Sequence, residues 1–305
     1  MPWLFIAIGA YFLTAVNSVV DKYLLHRTDP HPVAYAFYVG IFSIFTLILT
    51  PFGLDWPGYS QAFAALSVGA VFLCALIAFF TALKADEASR IVALVGGITP
   101  IFILIFSAFL LEAPFVTHEY YALALLVAGG VLISFRRSKT CGIFELHKYE
   151  CVRSTEIALL SSVLFALFFV LAKIFFSNQE FISGFVWTRI GSFLAALLLL
   201  LIPAARAHIF HTTKTAGAKA GALFIANKTL AGVSFFLLNY AIFLGNIAIV
   251  NALEGVKYLF VLILAYYFST RMPHILREQV TPLVVAQKVG AVALICAGLF
   301  ILAMA

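Results

Sequence analysis

Charged residues are scarce in this sequence and make up only 10% of its 305 positions. Hydrophobic residues account for 64%, and the mean hydropathy is +1.09. A soluble domain is about a quarter charged, because it must cover a surface that faces water. The composition therefore excludes a soluble enzyme, a nucleic-acid-binding domain and a disordered chain. It indicates that the lipid bilayer is the main surrounding of the protein.

Motifs for covalent chemistry, nucleotides and metals are also missing. The sequence contains no P-loop, no HExxH and no GxSxG pattern. Its four cysteines form no disulfide framework, since two lie in apolar runs and two in one polar segment. Two sets of possible ligands, His208 with His211 and Cys141 with His147 and Cys151, lack four groups at zinc spacing. We expect no enzymatic activity, no cofactor and no metal.

Long apolar runs fill the chain instead. A membrane-spanning helix needs about 20 mainly apolar residues. Ten apolar runs have or approach this length: 3–23, 33–50, 62–83, 91–111, 120–135, 157–176, 181–202, 223–244, 247–268 and 283–303. The sequence thus predicts an all-α integral membrane protein with ten transmembrane helices, and we expect it in the cell membrane.

The two halves of the chain resemble each other. A hydrophilic segment, 136–155, separates five runs from five. When the first half is moved by 151 residues, 19–22 (VVDK) falls on 170–173 (VLAK), and Gly40 falls on Gly191. An odd number of spans per half inserts the halves in opposite senses. Such inverted repeats recur in secondary transporters, with the binding site near the midplane between them.

Three stretches carry a family pattern. They are the Val-x-x-Lys end of the first helix, 82–90 between the third and fourth helices, and 128–134 (AGGVLIS) at the end of the fifth. These stretches resemble the EamA-type branch of the drug/metabolite transporter (DMT) superfamily. The resemblance implies two EamA-like five-helix repeats, 1–137 and 155–305, joined by a basic linker over 138–154. It also implies transport of a small metabolite by alternating access.

Basic residues lie in the loops after odd-numbered helices, and none lies in the loops after even-numbered ones. Because basic residues favour cytoplasmic loops, this bias predicts that both termini lie outside. The net charge of +6 has the same origin and indicates no nucleic-acid partner. Members of the resembling family have both termini in the cytoplasm, so the two indications oppose each other.

The ninth run contains the densest group of polar residues. Asn251, Glu254 and Tyr258 recur at three and four residues and share one helix face, and Lys257 lies within reach of Glu254. An ionisable group inside a span costs about 2.5–3.5 kcal/mol, so it is a functional candidate. We predict that Glu254 couples protons and that the other three contact substrate. The alternative is an ion pair that only helps the helix to insert.

Cationic residues of the second half suggest the charge of the substrate. Lys173 and Arg189 align with Lys22 and Tyr38 of the first half. The planar guanidinium of an arginine suits a carboxylate or phosphate. Together with Lys257, these cations predict an anionic or zwitterionic substrate, such as an amino acid or an organic anion.

Asp21 in the first helix is a second candidate for proton coupling. Asn17 lies one turn before it, and Lys22 follows it directly. The alternative is an interfacial pair between Asp21 and Lys22 near the helix end.

The fourth run contains a helix-breaking pattern, with Gly96 and Gly97 shortly before Pro100. Proline removes a backbone hydrogen bond and kinks a helix. Freed carbonyls in a membrane are tolerated only beside protein or a watered cavity, so we predict that this kink lines the pathway. The alternative is a kink that serves packing alone.

Other residues complete the predicted pathway. Asn239 is either a ligand contact or an interhelical hydrogen-bonding group, while Tyr38 and Trp187 can wall a pocket for flat groups. Gly191 and Ala195 suit close helix packing. The sequence favours a secondary-active transporter for a small-molecule substrate, with protons as a possible coupling ion, as a monomer or homodimer. The alternatives are a lipid or glycolipid flippase component and a non-transporting membrane partner protein.

Overall fold

The computed structural model describes residues 2–27, 30–110, 117–134, 147–176, 180–215, 218–244, 254–271 and 282–304. All regular structure in these segments is helical. The helices are α1 (Pro2–Arg27), α2 (Pro32–Phe42), α3 (Tyr59–Ala85), α4 (Ala88–Leu110), α5 (Thr117–Ser134), α6 (His147–Phe176), α7 (Phe181–Leu199), α8 (Pro203–Thr215), α9 (Ala218–Leu244), α10 (Glu254–Arg271) and α11 (Pro282–Met304). A 3-10 segment, Ser43–Phe52, continues α2.

The helices follow the apolar runs, since a backbone in lipid must satisfy its own hydrogen bonds. Within the described residues, 6 helices are long and apolar enough to cross a membrane. They are Trp3–Leu25, Pro32–Phe52, Tyr59–Ala85, Arg153–Ala172, Ile182–Leu199 and Lys219–Leu238. Shorter apolar helices occupy Ala88–Ile103, Tyr120–Gly129, Gly255–Phe268 and Pro282–Gly298. The prediction of a helical, multi-pass membrane protein is confirmed. The short helix α8 lies between two of the predicted runs and corresponds to neither.

Helices of the two halves pack against each other. α1 packs on α9 and α10, and α6 packs on α3 and α4. α5 packs on α11, and α2 packs on α7. The main core therefore draws on both halves, and its fully buried side chains include Leu73, Ile91, Tyr258 and Ile295.

A close approach between helices joins α3 to α7 and depends on glycine. A Cβ atom placed on Gly69 would overlap the carbonyl oxygen of Thr188. One placed on Gly191 would lie 2.6 Å from the Cα atom of Leu66. Small residues let helix backbones touch in a membrane, where lipid removes the hydrophobic force between helices. The predicted packing role of Gly191 is confirmed.

Lys22 caps the C-terminal end of α3. Its ammonium donates to the carbonyl oxygens of Leu83 and Lys84, at 2.6 and 3.2 Å, and to that of Asp86. A lysine at this position satisfies carbonyls that have no partner within the helix and balances the negative end of the helix dipole. Lys22 is thus a structural cation that ties α1 to α3.

The turn between α3 and α4 is held by further polar contacts. The carboxylate of Asp86 accepts from the backbone N–H of Glu87 at 2.7 Å and from the hydroxyl of Ser154 at 3.1 Å. The ammonium of Lys288 donates to Glu87 at 2.5 Å and to Ser89 at 3.1 Å. These bonds fasten α6 and α11 to the same end of the bundle.

Candidate functional site

The carboxylate of Asp21 is the centre of a buried polar cluster between α1, α2 and α9. Asp21 is 2% exposed. Its Oδ1 accepts from the hydroxyl of Tyr35 at 2.6 Å and from Nδ2 of Asn227 at 2.6 Å. The ammonium of Lys228 lies 2.7 Å from Oδ1 and 2.9 Å from Oδ2. A cation and two neutral donors thus replace the water that the buried carboxylate has lost.

The side chains of Asn17 and Asn227 lie beside this carboxylate, and each has a buried acceptor oxygen. Nδ2 of Asn17 lies 3.5 Å from Oδ2 of Asp21, while Nδ2 of Asn227 is taken by Oδ1. Within the part of the chain that the structure describes, the side-chain oxygens of Asn17 and Asn227 are buried and have no hydrogen-bond partner. Buried polar atoms are nearly always paired, so these two oxygens identify a place where a donor can bind.

Aromatic rings surround the ammonium of Lys228. It lies 5.2 Å from the ring centre of Tyr35, 5.4 Å from that of Phe80 and 5.6 Å from that of Phe224. Each ring face attracts the cation electrostatically. The rings also keep water away, which strengthens the ion pair with Asp21.

A second cation, Arg189 of α7, lies among three phenylalanine rings. Its guanidinium carbon is 4.4 Å from the ring centre of Phe72, 5.1 Å from that of Phe185 and 5.6 Å from that of Phe235. The residue is half-buried. Among the described residues, the guanidinium has no hydrogen bond and no carboxylate partner. Its five N–H donors therefore remain available to a ligand.

One face of α9 connects the two cations. Phe224, Lys228 and Phe235 are spaced by four and by seven residues, which places them on the same side of a helix. Seven residues correspond to about 10 Å along the axis. Phe224 also contacts α2, since its ring centre lies 5.0 Å from that of Tyr35 and 6.1 Å from that of Tyr38.

The structure separates some of the predicted substrate contacts from this face. The indole N–H of Trp187 donates to the carbonyl oxygen of Asp55 at 3.1 Å, and its ring centre lies 5.2 Å from that of Trp56. Trp187 thus packs on the loop between α2 and α3. In α10, the ammonium of Lys257 lies 5.0 Å from the ring centre of Tyr258.

The glycines of α4 lie in packing contacts. A Cβ atom on Gly96 would overlap the hydroxyl oxygen of Tyr258, and one on Gly97 would fall 2.9 Å from a methyl carbon of Ile295. α4 runs without a break through Pro100. The two glycines thus make room for α10 and α11.

Some predicted residues cannot be placed. Asn251 lies outside the described residues, as do the side chains of Glu254, Lys173, Asn239 and Pro100. The backbones of these last four are helical.

Sequence reasoning missed Asn227 and Lys228, which interrupt the eighth apolar run near its start. Two adjacent polar residues inside a span are a signal of function by the rule that selected Glu254. Tyr35 and Phe224 carry no such signal, because aromatic residues are abundant throughout the chain.

Comparison with known proteins adds the family. The model of the EamA-like transporter family matches residues 1–135. Residues 1–135 belong to the EamA-like transporter family. This match confirms, over residues 1–135, the resemblance to the drug/metabolite transporter superfamily.

A solved structure is similar to this chain over nearly its whole length. A crystal structure of a protein with 18% sequence identity superposes with a TM-score of 0.56 and covers 98% of this chain and 96% of that chain. At this identity the likeness establishes the fold alone. Curated protein sequences give no match.

Proposed function

We propose that the protein is a secondary-active transporter in which two inverted five-helix repeats, ten transmembrane helices in all, move a small metabolite by alternating access. The order of apolar helices pairs α1 with α6, α2 with α7, α3 with α9, α4 with α10 and α5 with α11. If each helix is replaced by its partner in the other half, the α1–α9 contact becomes the α6–α3 contact. The α1–α10 contact likewise becomes the α6–α4 contact. The contacts α5–α11 and α2–α7 map onto themselves. A twofold axis between the halves accounts for this pattern.

The ion pair between Asp21 and Lys228 carries this proposal. It joins residues 207 positions apart, one from each half. Charged groups inside a span are expensive and concentrate along substrate and proton pathways. When Asp21 takes up a proton, it loses its attraction for Lys228, and α9 is released from α1. Proton binding and helix movement are then the same event. Glu254 remains a second candidate for coupling.

The first step of the experiment is to identify a ligand that binds the purified protein. Thermal unfolding is recorded with amino acids, organic acids, sugars, sugar phosphates and hydrophobic cations. A ligand at about 100 times its Kd stabilises the folded state by about 2.7 kcal/mol, which is readily measured. The best ligand is then used in proteoliposomes, in exchange mode and under a pH gradient.

Asp21→Asn separates coupling from transport. We expect the variant to exchange substrate across the membrane and to lose accumulation driven by a pH gradient. Glu156→Gln removes an exposed carboxylate of α6 and serves as the matched control, with accumulation unchanged. Unimpaired accumulation in Asp21→Asn would show that Asp21 does not couple protons.

One observation favours the flippase alternative. Only 11% of the apolar window of α9 is buried, against 39% for α3, so much of α9 faces outward. An opening beside α9 would admit a lipid from the side. Transfer of a fluorescent lipid between leaflets, at a rate set by the protein and without exchange of any soluble ligand, would favour this second function.

A further inference from the structure

Arg189 is a cation that no described carboxylate neutralises. It lies on a membrane-spanning helix, and among the described residues no carboxylate pairs with it. By contrast, the ammonium of Lys228 has the carboxylate of Asp21, and that of Lys288 has Glu87. An unneutralised cation inside a membrane span is unfavourable unless an anion or water reaches it.

We propose that Arg189, with the rings of Phe72, Phe185 and Phe235, binds the carboxylate of an organic monoanion whose body is flat and apolar. This inference rests on the proposed transport function and names the substrate class. The guanidinium offers parallel N–H donors that match the two oxygens of a carboxylate. The faces of the three rings attract the cation, and its N–H donors have no hydrogen-bond partner among the described residues.

The surroundings favour an apolar body. Phe185 and Phe235 are stacked with ring centres 5.1 Å apart and an interplanar angle of 14°. Phe235 is 40% exposed, while Phe185 is 9% exposed, so the stack presents one accessible ring. Aromatic and aliphatic groups pack on such a face through offset or edge contacts.

The same surroundings disfavour a zwitterion. The three rings that contact the guanidinium all belong to phenylalanines, and none can accept a conventional hydrogen bond from an ammonium group. On this face, the carboxylate of Asp21 is already bound to Lys228, about two helix turns along α9. The carboxylate and ammonium of an amino acid are too close together to reach both places.

The site has one fixed wall and one wall that can move. Arg189 and Phe72 belong to α7 and α3, which touch through glycine, whereas Phe235 belongs to α9. Because Lys228 ties α9 to Asp21, release of that pair moves Phe235 relative to Arg189. Substrate binding is thereby linked to the coupling cluster through a single helix.

The test uses matched probes with the purified full-length protein. Benzoate and phenylacetate carry the proposed features, benzamide and benzylamine replace the carboxylate, and phenylalanine adds an ammonium group. Binding is measured by thermal shift and by calorimetry in detergent. Counterflow of radiolabelled benzoate or phenylacetate is measured in proteoliposomes. The same measurements are made on Arg189→Gln, Arg189→Lys and Arg206→Gln, the last removing an exposed arginine of α8.

We expect benzoate or phenylacetate to bind the wild type at least about tenfold more tightly than the other three probes. Loss of charge-assisted bonds should weaken binding about 10- to 100-fold in Arg189→Gln. The affinity of Arg189→Lys should lie between those of the wild type and Arg189→Gln, since lysine keeps the charge but lacks the planar guanidinium. Arg206→Gln should match the wild type.

Other outcomes would contradict either the monoanion site at Arg189 or the proposed transport function. If benzoate and phenylacetate bind no better than benzamide, the monoanion assignment is wrong, and this comparison needs only the wild type. If both acids bind through Arg189 without counterflow, the site stands and the transport function fails. If another class of compound is transported equally well by Arg189→Gln, transport stands and the inference fails.

Discussion

Two interfaces between the halves, α3–α7 and α2–α9, are built in different ways. α3 and α7 touch through Gly69 and Gly191, with backbone atoms in contact. α2 and α9 meet through the rings of Tyr35, Tyr38 and Phe224. Lys228 of α9 lies beside these rings, 5.2 Å from the ring centre of Tyr35 and 5.6 Å from that of Phe224.

The aligned glycines of α2 and α7 differ in the atoms that they meet. Gly191 meets the backbone of Leu66 in α3. Gly40, its counterpart at an offset of 151, meets Ala196 and Leu73, which belong to α7 and α3. Gly191 therefore meets backbone atoms, whereas the atoms nearest to Gly40 are side-chain carbons.

The largest effect on stability is expected from the ion pair between Lys228 of α9 and Asp21. Lys228→Met leaves the carboxylate of Asp21 buried without a cation, which costs about 3–5 kcal/mol when a buried pair is broken. The double variant Asp21→Asn/Lys228→Met should recover most of that loss. The stabilities of the single and double variants are measured by unfolding in detergent or in increasing concentrations of SDS. Equal destabilisation in the single and double variants would contradict a direct pairing.

The second-largest effect on stability is expected at the glycine contact between α3 and α7. Gly69→Ala places a methyl group against the backbone of Thr188, and such overpacking costs about 1–3 kcal/mol. The matched control is Gly232→Ala in α9, where an added Cβ atom would meet no atom of the described residues within 4 Å. It should raise stability by up to about 1 kcal/mol through helix propensity. The melting temperatures of the two variants should move in opposite directions, and a shared direction would show that glycine does not hold α3 against α7.

A smaller effect is expected from the hydrogen bond that crosses the same interface. The hydroxyl of Ser192 donates to the carbonyl oxygen of Gly69 at 3.0 Å. Ser192→Ala should cost about 0.5–1.5 kcal/mol. In the control Ser67→Ala, the lost bond runs to Phe63 of the same helix and is exposed, so its melting temperature should change less. A larger change in Ser67→Ala would argue against a tight α3–α7 contact.

The smallest effect concerns pH at the start of α2. The ring of His31 stacks on that of His208 in α8, with centres 3.8 Å apart. Burial, and then the nearby His208 and Lys84, lower the pKa of His31 below its ordinary 6.5. Folding therefore opposes protonation of His31. Its contribution to stability is complete above pH 6.5 and declines as the pH falls through the lowered pKa.

Hydrogen exchange of the α8 backbone, corrected for the intrinsic rate, measures this effect. Protection should decrease between about pH 7 and pH 5, because His carries its charge change there. His208→Gln removes one cause of the shift, so the NMR titration of His31 should move upward. A titration of His31 unchanged in His208→Gln would contradict coupling through the stacked rings.

Much of the helical architecture could be predicted from the sequence, because apolar length is a local property. The runs predict most helix positions, whereas α8 escapes them because it is short and polar. For the site, ionisable groups such as Asp21 and Arg189 stand out within apolar runs, but their surroundings cannot be read from the sequence. Lys22 shows the limit well: it adjoins Asp21 in sequence, yet its ammonium binds the end of α3.

The sequence by itself determined that this chain lies in a membrane, since 64% hydrophobic residues cannot be covered by 10% charged ones. It also determined which residues are too polar to lie there without a reason. Only the tertiary structure decided their partners. Asp21 pairs with a lysine 207 residues away, and Arg189 lies among rings from three helices. Helical periodicity tells which residues share a face, but not which face of another helix meets it.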